Sequence, residues 1–213
     1  MIITDIIEID KKSVKVYLDN EFAFVLYKGE LHLYNIAKSL EISETDVDKI
    51  TKEVLVKRAK LRAINLLSKK DYTEKALRKK LLEGYYNEQQ IDETIQYLKS
   101  YGYIDDARYV QNYFSVHIQS KPKNKIVRKL VEKGISLDLI ESLIEDIYER
   151  ERDLTHVPDE VELGIKLLDK KKYDFKNSTN DKQKAYAYLL RNGICHDNAI
   201  KLLKDYEKKY SAT

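Results

Sequence analysis

Apolar residues fall near every second position in three short runs at the start of the chain: Ile2, Ile3, Ile6, Ile7 and Ile9, then Val14, Val16 and Leu18, then Phe22, Phe24 and Leu26. Period two is the repeat of a strand with one buried face. The runs are separated by Asp10-Lys-Lys-Ser13 and by Asp19-Asn20, both rich in turn formers, so the pattern predicts a small antiparallel meander with Asp19-Asn20 at a hairpin tip. From Glu30 the spacing lengthens to three and four, and Ser43 followed by Asp46 reads as an N-cap opening a helix through Val47, Ile50 and Val54. Beyond that helix the pattern predicts no further strand.

The rest of the chain repeats itself. A shift of 49 residues superimposes Leu77, Leu81, Ile91, Ile95 and Leu98 on Ile126, Leu130, Ile140, Ile144 and Ile147, and a further shift of 59 lands on Ala185, Leu189, Ala199, Leu203 and Tyr206. Each copy reads as a first helix, a loop, a basic second helix, a turn and an acidic or mixed third helix. The second helices end in Glu83-Gly84-Tyr85-Tyr86, Glu132-Lys133-Gly134-Ile135 and Arg191-Asn192-Gly193-Ile194. Glycine after a helix supplies the left-handed residue that closes it. The first copy departs by one residue, with Tyr85 at the aligned position. A three-helix unit buries little alone, so copies are expected to stack. The reading is a mainly α protein, three tandem three-helix repeats in an elongated array after a β meander and helix. Its boundaries are 1–53 for the meander and helix, then 54–105, 106–153 and 154–213 for the repeats.

Composition narrows the class. Charged residues make up 35% of the 213, with six Gly and two Pro, which disfavours low-complexity and turn-rich all-β chains. One cysteine removes any intrachain disulfide framework or Cys-based zinc site, and the runs are too short to span a membrane. Met1–Glu8 carries acid where a signal peptide needs a basic start, so a soluble cytoplasmic protein is expected. Net charge is only +3, but it is segregated: residues 57–80 hold ten Lys/Arg against two acids, and residues 134–160 hold nine Asp/Glu against two Arg. Such segregation speaks about partners rather than fold.

Catalytic signatures are missing. The six glycines never cluster into a phosphate loop or dinucleotide fingerprint, and His32, His117, His156 and His196 are each 39 or more residues from the next, without ligand spacing. Cys195-His196 are neighbours whose side chains diverge, so Cys195 reads as a semi-buried structural residue rather than a nucleophile. No enzyme, cofactor or metal is expected. The basic clusters are the strongest clue. Lys69, Lys70, Arg78, Lys79 and Lys80 in the first copy, Lys121, Lys123, Lys125, Arg128, Lys129 and Lys133 in the second, and Lys170, Lys171, Lys172, Lys182 and Lys184 in the third recur at related places. They read as a stripe able to neutralise phosphate or acidic protein, against the plainer alternative of a solubilising face. Tyrosine is abundant, 17 against four Phe and no Trp; Tyr97, Tyr101 and Tyr109 read as packing residues, while Tyr85 and Tyr86 sit at a turn where packing and binding are evenly matched.

The junction between the first two copies is Gly102-Tyr103-Ile104-Asp105-Asp106-Ala107-Arg108-Tyr109. Asp105 is placed to cap the next helix, and Tyr103 and Ile104 to tuck against the preceding one. With Lys75-Ala-Leu77-Arg78-Lys79-Lys80-Leu81 upstream and Arg128-Lys129-Leu130-Val131-Glu132-Lys133-Gly134-Ile135 downstream, this junction resembles the RecX family of recombinase regulators over residues 55–208. The meander resembles the extension of the family's longer members. Two departures stand out: the third copy has a polar loop, Lys176-Asn-Ser-Thr-Asn180, and it lacks a second Asp-Asp junction. The resemblance implies a protein that binds the RecA filament along its groove and restrains strand exchange, ATP hydrolysis and co-protease activity, modulating recombination, repair and the SOS response; separately, the Tyr-rich, low-Gly composition gives no sign of an obligate dimer, so a monomer is expected. Single- or double-stranded DNA is a further partner to consider. The alternatives from other classes are a direct DNA-binding repressor that places a helix in the major groove and a purely protein-binding scaffold.

Overall fold

A computed structural model describes residues 1–171 and 179–211. The described residues fall into two compact units, Met1–Asp105 and Asp106 onward.

The first unit opens with strands β1 (Ile3–Glu8), β2 (Ser13–Leu18) and β3 (Glu21–Tyr27), antiparallel in the order β1-β2-β3. Asp19 and Asn20 form the tip with φ of 49° and 71°, the paired left-handed conformation of a tight two-residue hairpin. Ile2 N donates to Asp19 Oδ1 at 2.8 Å, tying β1 to that tip. One face of the sheet is sealed by Ile3, Val14, Val16, Leu18, Phe24 and Leu26, closed below by Ile36, Ile42, Ile50 and Leu55.

Ser43 caps α1 (Glu44–Lys49), accepting from Asp46 N at 3.1 Å and donating to Asp46 Oδ2. The helical path continues through a wider π-helical turn, Ile50–Val54, into α2 (Leu55–Leu67). Buried Gln90 uses its Nε2 to donate to Thr51 O within that turn, at 3.1 Å. One continuous run therefore puts Leu55 into the meander core and Ala59 and Ala63 into the core of the first three-helix repeat. That repeat is completed by α3 (Glu74–Leu82) and α4 (Glu88–Ser100), with Leu77, Leu81, Ile91, Ile95 and Leu98 at its centre.

The second unit holds two further repeats: α5 (Asp106–His117), α6 (Lys123–Glu132) and α7 (Leu137–Leu154), then α8 (Glu160–Lys171), α9 (Thr179–Arg191) and α10 (His196–Ser211). Ile126, Leu130, Ile140, Ile144 and Ile147 are all buried in the middle repeat, as the register predicts. In the last repeat Ala185, Leu189, Ala199 and Tyr206 are buried, but the fifth place belongs to Leu202, and Leu203 is only half-buried. Leu202 fills the space beside the buried Gly164 of α8, where a Cβ would lie 2.3 Å from Leu202 Cδ1. Among the described residues no strand follows Tyr27, though Glu41 makes an isolated bridge to Ile2.

The turns after the three second helices share one geometry. Tyr85, Gly134 and Gly193, aligned by the repeat, have φ of 64°, 94° and 92°. In each copy the residue after it donates back to the helix, Tyr86 to Leu81 O, Ile135 to Leu130 O and Ile194 to Leu189 O, at 3.4, 3.2 and 3.1 Å. This is the left-handed closure that the glycines signal, and the first copy keeps it with a tyrosine at the strained position. The third copy's polar loop lies mostly outside the described residues.

Candidate partner-binding surface

Helix α3 starts at Thr73, whose hydroxyl accepts from Ala76 N at 3.2 Å, and its basic last turn suits the negative end of the helix dipole. With Leu77 and Leu81 turned to the core, the cations line its outer faces, yet they do not stand equivalent. Arg78 donates to Glu74 Oε1 at 2.8 Å and Asp92 Oδ1 at 2.6 Å, and Lys99 reaches the other oxygen of Glu74 at 2.5 Å. Burial of Glu74 opposes its charge, but the hydrogen bonds from Lys99 and Arg78 outweigh it and hold the carboxyl below its usual range. Arg78 thus clamps α3 to α4. Lys80 pairs with Glu83 at 2.7 Å. Lys79 and Lys69 have no ion pair among the described residues, and Lys70 lies 4.8 Å above the ring of Tyr72.

The middle repeat spends its cations on structure. Lys123 pairs with Glu145 of α7 at 2.6 Å, and Lys129 with Glu132 at 2.5 Å. Lys125 Nζ donates to Asn192 Oδ1 at 2.5 Å, and Arg128 Nη2 donates to Arg191 O at 2.6 Å, so both reach the turn that ends α9. A carbonyl at a helix C-terminus lacks an intrahelical partner, and an arginine is a fitting donor for it. Burial pulls the Lys125 ammonium below its ordinary range, helped by Lys121, Arg128 and Lys129 nearby. Lys133 lies 5.6 and 5.7 Å from the rings of Tyr109 and Tyr113, which stack on each other. In the last repeat Lys170 is exposed, Lys171 sits 5.4 Å from the Tyr188 ring, and Lys172 lies outside the described residues.

The junction behaves as a helix end. Gly102 takes φ of 67°, and Tyr103 N donates to Leu98 O at 2.8 Å. Ile104 enters the first-repeat core, and Asp105 and Asp106 stand at the last residue before α5 and its first. Tyr103, expected to tuck inward, is 51% exposed and stacks on Tyr101, itself 65% exposed; the Gly102 turn leaves only Ile104 facing the core. Tyr97 and Tyr109 do pack on their repeat cores, and Tyr86 is buried while Tyr85 is exposed. Cys195 is exposed, not semi-buried. Its thiol is pushed above the ordinary range chiefly by the Glu160 carboxylate to which it hydrogen-bonds, which disfavours the thiolate a nucleophile needs. His196, its neighbour, is engaged by Tyr186 Oη. Among the described residues no cluster of metal-ligating side chains occurs, and no helix is long and apolar enough to cross a membrane.

The pattern predicts α2 as the first helix of its repeat, but sequence reasoning did not single out the cations on it. Its Arg58 donates to both oxygens of Glu30, at 2.5 and 2.6 Å, and to Val25 O at 3.2 Å, and stacks over Tyr27 at 4.3 Å. These bonds lash the meander to the first repeat. Lys57 beside it, Arg62 one turn further along and Lys69 just past the end of α2 are exposed without an ion pair among the described residues. The dense run of cations over 57–80 was the available signal; which of them face solvent unpaired depends on acids brought in from elsewhere in the chain.

Comparison with known proteins accords with this architecture. Residues 59–98 match the family model described as RecX, first three-helix domain. Regulatory protein RecX of Caldanaerobacter subterraneus subsp. tengcongensis is 32% identical over 205 residues, covering 95% of this chain and 98% of that protein. The protein of the same name from Clostridium perfringens strain SM101 is 30% identical over 198 residues, 90% of each chain. Among solved structures, a crystal structure of regulatory protein RecX aligns with a TM-score of 0.56 at 24% identity over 96% of this chain and 98% of that one. RecX from Lactobacillus salivarius aligns at 0.52 and 23% identity over 71% of this chain and 96% of that one. At these identities the two structures speak for the fold alone.

Proposed function

Because this chain belongs to the RecX family of regulatory proteins, we propose that it binds RecA nucleoprotein filaments and inhibits strand exchange, ATP hydrolysis and co-protease activity. It acts by occupancy and makes no covalent change. The observation that carries the reading from family to mechanism is the uneven bookkeeping of cations. Arg78, Lys80, Lys123, Lys125, Arg128 and Lys129 are tied to groups of their own unit, whereas Lys57, Arg62, Lys69 and Lys79 in the first unit make no ion pair among the described residues. The Glu83 carboxyl, held below its usual range chiefly by its hydrogen bond from Lys80, feels Lys79 and Arg62 only as nearby charges. Desolvating an unpaired cation is repaid only by an anionic partner, so these four are the groups expected to meet a polyanionic assembly.

The test is inhibition of single-strand-dependent ATP hydrolysis by RecA. Lys69→Glu combined with Lys79→Glu should weaken inhibition about tenfold or more while leaving the helical circular dichroism unchanged, the outcome of exchanging attraction for repulsion at rim charges. Arg78→Glu and Arg128→Glu should instead lower stability, because each breaks contacts within its own unit. Full inhibition by the Lys69/Lys79 double variant, or no inhibition by the parent chain, would overturn the reading.

A further inference from the structure

The unpaired cations of α2 border an open groove of about 660 Å³ within the first unit, between that helix and the end of the meander. Its floor is aliphatic: Val54, Leu61 and Leu66, of which Leu61 is 55% exposed. Lys57, Arg62 and Lys69 stand on its rim. The one carboxylate among the described lining residues, Glu30, is already neutralised by Arg58. An exposed leucine beside three cations that make no ion pair among the described residues is a combination complementary to an apolar group flanked by acids.

We propose that this groove seats an acidic peptide segment of the protein partner, one apolar side chain resting on Leu61 and flanking carboxylates meeting Lys57, Arg62 and Lys69. A single strand of nucleic acid suits it less well. Stacking successive bases needs open aromatic faces; here Tyr86 is only 7% exposed, and Tyr27, though 48% exposed, has one face taken by Arg58 at 4.3 Å. A Cβ on Gly84 would come 3.2 Å from Arg62 Cζ, so the guanidinium at the groove rests against the turn that closes α3.

The inference rests on the filament-regulator reading for its partner, and its test separates the two. A fluorescein-labelled peptide of alternating Asp and Glu with one central Phe is titrated onto the full-length chain, in parallel with the same peptide carrying Ala for Phe and with a labelled oligothymidylate. The Phe peptide should bind at least five times more tightly than the Ala peptide. Arg62→Glu with Lys57→Glu should cost it tenfold or more, and Leu61→Ser should cost it several-fold with no change in the melting transition. Oligothymidylate binding that is lost when Lys57, Arg62 or Lys69 is reversed in charge, with the peptides failing to bind, would overturn the proposal in favour of a nucleic-acid groove; peptide binding indifferent to the variants would overturn it outright. If the groove variants inhibit RecA as fully as the parent, the groove assignment falls and the regulator reading stands. If the parent ignores RecA filaments while still binding the peptide through Arg62 and Leu61, the groove stands and the regulator reading falls.

Discussion

Replacing Gly193 by Ala should damage the second unit more than replacing any glycine that is merely in a turn. Two costs coincide at this residue. Its φ of 92° lies in the left-handed region, where an L side chain costs about 1–2 kcal/mol. A Cβ there would also stand 2.7 Å from Lys125 N and 2.9 Å from Lys125 Cβ, and these atoms belong to the first turn of α6, which cannot step aside alone. Overpacking of this sort costs about 1–3 kcal/mol, so Gly193→Ala should destabilise by about 2–5 kcal/mol in total. The same shift would pull Asn192 and Arg191 away from Lys125 and Arg128, and the Asn124 Nδ2 bond to Gly193 O, 3.3 Å, would go with them. Gly102 provides the control, since its φ of 67° is also left-handed but nothing lies within 4 Å of its missing Cβ. Gly102→Ala should therefore cost only the conformational part, about 1–2 kcal/mol. Urea unfolding of both variants, with hydrogen exchange read separately at α6, α9 and α4 amides, measures the difference. If Gly193→Ala costs no more than Gly102→Ala, or leaves α6 exchange untouched, the close approach of the two repeats is not real.

Two other perturbations have definite outcomes. Thr94 Oγ1 is fully buried in α4 with no hydrogen-bond partner, so Thr94→Val, which keeps the shape and removes the orphan, should raise the first unit's stability by about 1 kcal/mol in the same urea assay. The exposed thiol of Cys195 is held protonated by Glu160, so its alkylation by iodoacetamide near neutral pH should be slower than that of free cysteine; Glu160→Gln should lower the thiol's pKa and speed the reaction, and an unchanged rate would contradict the assigned hydrogen bond.

What the sequence discloses and what it hides divide along a physical line. The meander, the Ser43 cap and the three turn closures are legible because their determinants are local: alternation, a capping hydroxyl and a residue able to hold positive φ. Even the off-register Tyr85 is visible as a departure, and the structure shows the backbone repeating faithfully beneath it. Leu202, not Leu203, is buried, seated against Gly164 of another helix, and no local pattern carries that. The basic clusters were the hardest to interpret. Charge identity says that Arg78, Arg128 and Arg58 are cations, but not that Asp92, the end of α9 and Glu30 are waiting for them, since the separations are 14, 63 and 28 residues. The run over 57–80 therefore disclosed a charged region without showing which of its members are spoken for.

The most direct test of the account is co-sedimentation of the chain with RecA filaments assembled on single-stranded DNA, set beside the same DNA without RecA at the same salt concentration. The chain should pellet with the filaments, release progressively as salt is raised because its contacts are ionic, and pellet poorly with bare DNA. Equal pelleting with bare DNA, or none with the filaments, would contradict it.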